Sequence, residues 1–392
     1  SPGRHALRRH SASTKKRCPN EDFAMKIGID ARPLSYDLTG IGVYVKHLLE
    51  SLQKIDDQNH YFLMSNGPIN LKLENRNWAK IEGTNTQRLL STLWMQLRTP
   101  LIAAKNGIEL FWSPRHHLPL FLPSRIKTVV TIHDITHRLF PETMALSNLL
   151  VEKLLMGPSL KKADCVIADS NSTAMGIAAN YSIDPAKIIT IFPGKPGLPD
   201  PVTEVPNPPI VLPARFFLFV GTLDPRKNLL RVLKAFEKID PHSHGVHLVI
   251  VGARGWKHKQ FDQQLNTSNI RNRIVMPGYV SRPQLRLIYE KAHCLLFPSL
   301  YEGFGFPILE AMSCGTPVIT SMTSSMPEVA GDAAILVDPH DVAAISSAML
   351  NILSNPGLRE KLIARGLQRL NAFSWEKCAW ETLKVLTRTG CP

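Results

Sequence analysis

The sequence predicts an α/β protein of two doubly wound, parallel-sheet domains facing a central cleft. Two observations lead there. From Met25 onward, short apolar runs alternate with amphipathic segments, the pattern of strands joined by crossover helices. Between Lys195 and Arg215 seven prolines and no periodicity separate two such series. At 392 residues the chain also exceeds what one core usually serves.

The first series begins with a strand at Lys26 to Asp30, a glycine turn at Thr39-Gly-Ile-Gly42 and a helix from Val43 to Leu52 whose apolar positions recur at helical spacing. A weaker strand follows at Tyr61 to Met64, then a helix at Leu89 to Ala104 and a strand at Ile108 to Trp112. Lys127 to Ile132 reads as a buried strand ending in His133-Asp134. A helix at Leu146 to Leu160, a strand at Ala163 to Ala168, a helix capped by Ser170 and a strand at Ile188 to Phe192 complete this half. The second series runs from strand Phe216 to Val220 through helix Leu229 to Lys238, strand His247 to Val251, a helix near Lys257 to Leu265, strand Ile274 to Met276 and helix Pro283 to Lys291. Cys294 to Pro298 is a short strand leading into Tyr301-Glu-Gly-Phe-Gly-Phe-Pro-Ile-Leu-Glu310. Strands at Val318-Ile319 and Ala334 to Val337 and three terminal helices follow. The boundaries are 1–24 for a basic leader, 25–195 for the N-terminal domain, 196–214 for the linker, 215–373 for the C-terminal domain and 374–392 for a final helix.

The leader holds six Lys or Arg against two acids, so +10 of the formal charge of +14 belongs to the rest. It has no apolar core and is expected to be disordered, either non-native or a presequence, with Met25 as the native start. The apolar runs fall far short of the roughly 20 residues that span a bilayer. Six cysteines without a Cys-x-x-Cys pair suit buried free thiols in a reducing compartment. The basic balance is compatible with nucleic acid, an anionic membrane or an anionic substrate. Nucleic-acid binding finds no recognisable motif to support it.

Four elements stand at predicted strand ends, where open α/β sheets bind ligands. Gly40 and Gly42 form a Gly-x-Gly that is equally a plain turn or a phosphate or acceptor contact. His133-Asp134 is a structural pair or a functional one, and no second His or Cys at ligand spacing points to a metal. The loop from Gly221 to Asn228 carries Arg226 and Lys227, fixed positive charge suited to a leaving phosphate. In the fourth, Gly303 and Gly305 lie between strand and helix, Pro307 suits the first helical position, and Glu302 and Glu310 lie in the turn and one turn into the helix. These acids read as graspers of hydroxyls more than as a glycosidase pair. Together with Arg226 and Lys227 they fit a nucleotide diphosphate sugar.

Glu302 and Glu310, with seven residues between them that include Gly303-Phe-Gly305 and Pro307, resemble the double-glutamate motif of retaining nucleotide-sugar glycosyltransferases of the GT-B fold, the group 1 family. The resemblance covers Met25 to about Leu386. The opening Lys26-Ile-Gly-Ile-Asp-Ala-Arg-Pro-Leu34 and the segment Ser324 to Pro339 resemble members that transfer mannose or rhamnose in bacterial surface polysaccharide. The resemblance implies two Rossmann-like domains, with the last helix crossing back to the N-terminal one. It implies that Arg226 and Lys227 hold the donor diphosphate and Glu310 the ribose. Glu302 with Gly303, Phe304, Gly305 and Phe306 would hold the sugar hydroxyls, and His133 would lie against the donor sugar. Gly40 and Gly42 would close over the diphosphate, the loop after Gly221 would approach it, and Tyr279-Val280 would lie near the base. Many members carry adjacent glycines where this chain has Gly-x-Gly.

The expected activity is retaining, metal-independent transfer from a GDP-sugar, or from a UDP- or dTDP-sugar. The expected acceptor is a glycan or lipid-linked oligosaccharide, at the cytoplasmic face of an anionic membrane. A non-catalytic nucleotide-sugar sensor is the rival from another class.

Overall fold

The computed structural model describes residues 24–36, 40–84, 88–198, 211–253 and 259–390. The leader up to residue 23 and much of the proline-rich segment lie outside them. The N-terminal sheet holds β1 (Lys26–Asp30), β2 (His60–Ser65), β3 (Trp78–Glu82), β4 (Leu110–Ser113), β5 (Lys127–Ile132), β6 (Cys165–Ala168) and β7 (Ile188–Thr190), in the order β3-β2-β1-β4-β5-β6-β7. The C-terminal sheet holds β8 (Phe216–Val220), β9 (His247–Val251), β10 (Ile274–Gly278), β11 (Cys294–Phe297), β12 (Val318–Ser321) and β13 (Ile335–Val337), in the order β10-β9-β8-β11-β12-β13. Every pairing in both sheets is parallel.

Parallel sheets need cover on both faces, so their central strands are apolar throughout. Accordingly β4, β6, β11 and β12 are buried at every residue. The crossover helices supply the cover. In Leu229–Lys238, Leu229, Val232, Leu233 and Phe236 are buried at helical spacing, while the polar side faces out. Each sheet thus has an apolar core on either face. The helix Trp375–Gly390 buries Cys378, Ala379, Leu383 and Leu386 in the N-terminal core, against the helix Gly40–Ile55. The last helix thus returns to the N-terminal domain. Trp375 marks the crossing: its Nε1 donates to the Lys195 carbonyl at 2.8 Å.

Two expectations need correction. Gly40 and Gly42 do not form a turn; they lie in the first turn of the helix Gly40–Ile55. Glycine is a poor helix former, and a Cβ at Gly40 would meet no other atom within 4 Å. The strand β3 was absent from the sequence reading because it is an edge strand whose central residues are exposed, so it carries no apolar run.

In both sheets the strand order reverses beside the first strand, β1 against β4 and β8 against β11. Side chains following the carboxyl ends of these strands converge between the domains.

Candidate functional site

A cavity of about 290 Å³ lies between the two sheets. Gly40, Ile41 and Tyr44 reach it from the first helix, His133, Asp134 and Asp169 from the ends of β5 and β6, and Lys227 and residues 302–307 from the C-terminal domain. Two helices begin on its wall, Gly40–Ile55 and Phe306–Ser313. A helix N-terminus carries partial positive charge, so the cavity suits an anion. Gly305 at the second helix start has φ 109°, a conformation that favours glycine.

The turn before this helix is held from several sides. Ser325 Oγ donates to the Glu302 carbonyl at 3.0 Å and to the Phe304 carbonyl at 2.7 Å. From the opposite domain Ser170 Oγ donates to the Gly303 carbonyl at 2.6 Å, and the Tyr301 hydroxyl accepts from the Ile135 N–H at 3.1 Å. The Glu328 carboxylate accepts from the Asn171 and Ser172 N–H groups at 3.0 and 2.9 Å, capping an N-terminal-domain helix from the C-terminal domain. The segment after Ser324 therefore helps to hold the domains together.

Charge is concentrated at Glu302. Its carboxylate accepts from Arg226 Nη1 at 2.9 Å and from Lys227 Nζ at 2.7 Å. Burial raises its pKa, but the two cations outweigh burial and hold it at about 2. Burial works against the charge of Arg226, and Glu302 with Asp224 more than restores it, so its pKa rises. Asp224 caps the turn that presents both cations, its side chain accepting from the Lys227 N–H. Next to them Asn228 adopts a left-handed conformation, φ 64°, fixed by bonds from its Nδ2 to the Pro298 and Pro339 carbonyls at 2.9 and 2.6 Å. The backbone that presents the cations is thus fixed.

His133 Nδ1 pairs with Asp169 Oδ2 at 2.5 Å and Nε2 with the Pro114 carbonyl at 2.9 Å. Tyr44 packs edge-on against its ring, centroids 4.8 Å apart. Asp169 is buried, and its Oδ1 is without a hydrogen-bond partner. A buried acceptor left open beside a cavity is available to a ligand hydroxyl. Asp169 was missed in the sequence, although it follows the predicted strand Ala163 to Ala168 just as His133 follows its own.

The other predicted residues are not all brought together. Lys227 lines the 290 Å³ cavity, whereas Arg226 opens on an adjoining cavity of about 250 Å³ with His116, His137 and Glu152. Gly40 stands on the 290 Å³ cavity and Gly42 on a further one of about 460 Å³, with Ile41 lining both. Gly221 ends β8 with φ 150°, beneath the stem of Lys227. Phe304 and Phe306 close the cavity wall, their rings 5.2 Å apart. Glu310 lies deeper along its helix, buried, accepting from the Tyr289 hydroxyl at 3.0 Å. Burial raises its pKa despite Arg282 and Tyr289. Tyr279 is 83% exposed, while the Val280 side chain is packed in the core rather than turned to a ligand.

The 460 Å³ cavity lies wholly within the N-terminal domain. Glu152 there pairs with His116 Nδ1 at 3.4 Å and His117 Nε2 at 3.0 Å. Burial lowers the pKa of both histidines; Glu152 outweighs it at His116, whose pKa rises, but not at His117. Among the described residues no group of three or more His, Cys, Asp or Glu is placed to hold a metal ion.

Residues 204–369 match the family model for glycosyl transferases group 1, and residues 38–196 match that for glycosyltransferase family 4. The chain is 32% identical over 385 residues to O-antigen chain mannosyltransferase B of Escherichia coli, covering 92% of this chain and 99% of that protein. It is 28% identical to O-antigen chain mannosyltransferase RfbU of Salmonella typhimurium, over 67% of this chain and 69% of that one. Among solved structures it resembles sucrose-phosphate synthase from Thermosynechococcus elongatus, with TM-score 0.71 and 22% identity over 93% of this chain and 98% of that one. It also resembles WaaG, a glycosyltransferase of lipopolysaccharide biosynthesis, with TM-score 0.68 and 14% identity over 93% and 100%. These likenesses give the GT-B fold. Two parallel-sheet domains facing a shared cavity, with both family models and a relative matched over 92% of this chain in agreement, show that the chain belongs to the group 1 family of glycosyltransferases.

Proposed function

We propose that this enzyme transfers a hexosyl residue, mannose before rhamnose, from a GDP-sugar to a glycan or lipid-linked acceptor of a surface polysaccharide, with retention of configuration. The observation that carries the donor class is the convergence of two helix N-termini and Lys227 on a 290 Å³ cavity also lined by Asp134, Asp169 and Glu302. Fixed positive charge suits the diphosphate and the carboxylates suit sugar hydroxyls. The mannosyltransferase names of the relatives support the sugar.

On donor binding, Arg226 and Lys227 turn from Glu302 to the diphosphate, and Glu302 turns to the sugar hydroxyls. The bond from the anomeric carbon to the diphosphate oxygen breaks as the acceptor hydroxyl adds on the same face. The acceptor proton passes to the departing diphosphate, whose developing charge the cations and helix termini stabilise. The positive charge is supplied by the protein, so the step is assigned no metal. Glu310 meets the ribose once Tyr289 shares it. Among the described residues no helix is long and apolar enough to cross a membrane, and Cys165, Cys294 and Cys378 are free and buried. We place the reaction in the cytoplasm, a reducing compartment.

A thermal-shift comparison of nucleotide sugars tests the donor. GDP-mannose at ~100 times its dissociation constant stabilises by about 2.7 kcal/mol. A larger shift with UDP- or dTDP-sugars reassigns the base, and no shift with any of them removes the proposal.

A further inference from the structure

Two short segments, one in each domain, support the walls of the donor cavity. In the N-terminal domain β6 is followed by the helix Asn171–Asn180. Between them Asp169 pairs with His133, and Ser170 caps the helix while its Oγ donates to the Gly303 carbonyl. In the C-terminal domain Ser324 and Ser325 lead into the helix Met326–Ala330. Ser325 holds the Glu302 and Phe304 carbonyls, and Ser324 Oγ accepts from the Glu302 N–H at 3.1 Å.

Glu328 joins these segments. It follows Ser325 by three residues, and its carboxylate accepts from the Asn171 and Ser172 N–H groups, which closely follow Asp169 in the chain. The first N–H groups of a helix have no partner within it, so a carboxylate there makes charge-assisted bonds and meets the positive end of the dipole. Here that carboxylate comes from the other domain.

The backbone behind Glu328 is anchored too. Arg369 donates from Nη2 to the Glu328 carbonyl and from Nε to the Val329 carbonyl at 3.0 Å. Its guanidinium lies over the Phe373 ring, 5.0 Å from the centroid. The Phe373 carbonyl in turn accepts from the Lys195 N–H at 3.3 Å, beside the bond from Trp375 to the Lys195 carbonyl. Arg369 thus ties Glu328 to the place where the last helix crosses between the domains.

We infer that Glu328 is a positioning residue for transfer: by capping the helix Asn171–Asn180 it fixes Asp169 and His133 in register with the turn that carries Glu302. It acts through the two segments it joins and does not itself line the donor cavity. The effect on transfer rests on the proposed function; the tie between the domains does not.

The tie can be cut from either side. Glu328→Ala removes the carboxylate. Asn171→Pro removes one of the two N–H groups and spares the helix, because proline suits the first helical position and Ser170 is already extended, φ −150° and ψ 157°, as a residue before proline prefers. With GDP-mannose, Glu328→Ala lowers kcat about tenfold or more, with a smaller change in donor KM, as misplacement at the reacting centre does. Asn171→Pro lowers kcat by less, and the double variant is no slower than Glu328→Ala, since both cut one tie. Glu328→Gln keeps one acceptor oxygen and recovers part of the rate. Two readouts need no substrate: hydrogen exchange shows the Asn171 and Ser172 amides protected in wild type and not in Glu328→Ala, and small-angle scattering shows a larger radius of gyration for the variant. Unchanged kcat in both variants, additive losses, or a lowered melting temperature with kcat intact overturns the inference. If wild type turns over no donor, the proposed function falls, and exchange and scattering decide the tie alone. Unprotected wild-type amides or identical scattering then overturn it.

Discussion

The backbone of Gly303 rests directly against the carbonyl oxygen of His133, leaving no room for a Cβ between them. This contact, with Ser170 and Thr173 bonded to the Gly303 carbonyl, closes the C-terminal domain on the N-terminal one. Gly303→Ala must push the domains apart, because the obstacle is backbone and cannot swing away. The expected cost is about 1–3 kcal/mol of stability. A displacement of about 1 Å at the reacting centre lowers kcat roughly 100-fold. Steady-state kinetics and small-angle scattering check both: slower turnover and a larger radius of gyration.

Glu302→Gln leaves Arg226 and Lys227 buried without their carboxylate. Breaking a buried ion pair from one side costs about 3–5 kcal/mol. The loss has a defined pH dependence. Glu302 has a folded pKa of about 2 against an ordinary 4.5, so its contribution is fully present above pH 4.5 and is lost as the pH falls toward 2. The shift corresponds to about 3 kcal/mol. Urea titrations at several pH values should therefore show wild type and Glu302→Gln converging across that window. A difference that stays constant there contradicts the pairing.

Asp169 orients His133, so Asp169→Asn weakens the charge-assisted bond that fixes the ring. The variant is expected to lose roughly 100-fold in kcat through misplacement at the reacting centre, with the KM for donor little changed. A matched rise in KM with kcat intact would instead make Asp169 a donor-binding group alone.

Much of this site was legible in sequence because its parts sit at strand ends with distinctive chemistry. Strand and turn signals put Arg226, Lys227 and Glu302 at strand ends facing one cleft, on different parts of one ligand, whereas the structure pairs them directly with one another. What was not legible depends on three-dimensional partners. Asp169 is an ordinary acid until His133, from a different strand, binds it. Gly40 and Gly42 looked like a turn because glycine disfavours helices, yet tertiary packing extends the helix through them. Val280 follows β10 as a loop contact should, but its side chain belongs to the core beneath. The edge strand β3 is too polar to announce itself.

The stereochemical outcome of transfer tests the central claim most directly. The chain is incubated with GDP-mannose, whose sugar is α-linked to the diphosphate, and a lipid-linked glycan acceptor, and the product is read by NMR. The account predicts release of GDP and a new α-linked mannosyl residue. A β-linked product, or no nucleoside diphosphate released from any donor, would contradict it.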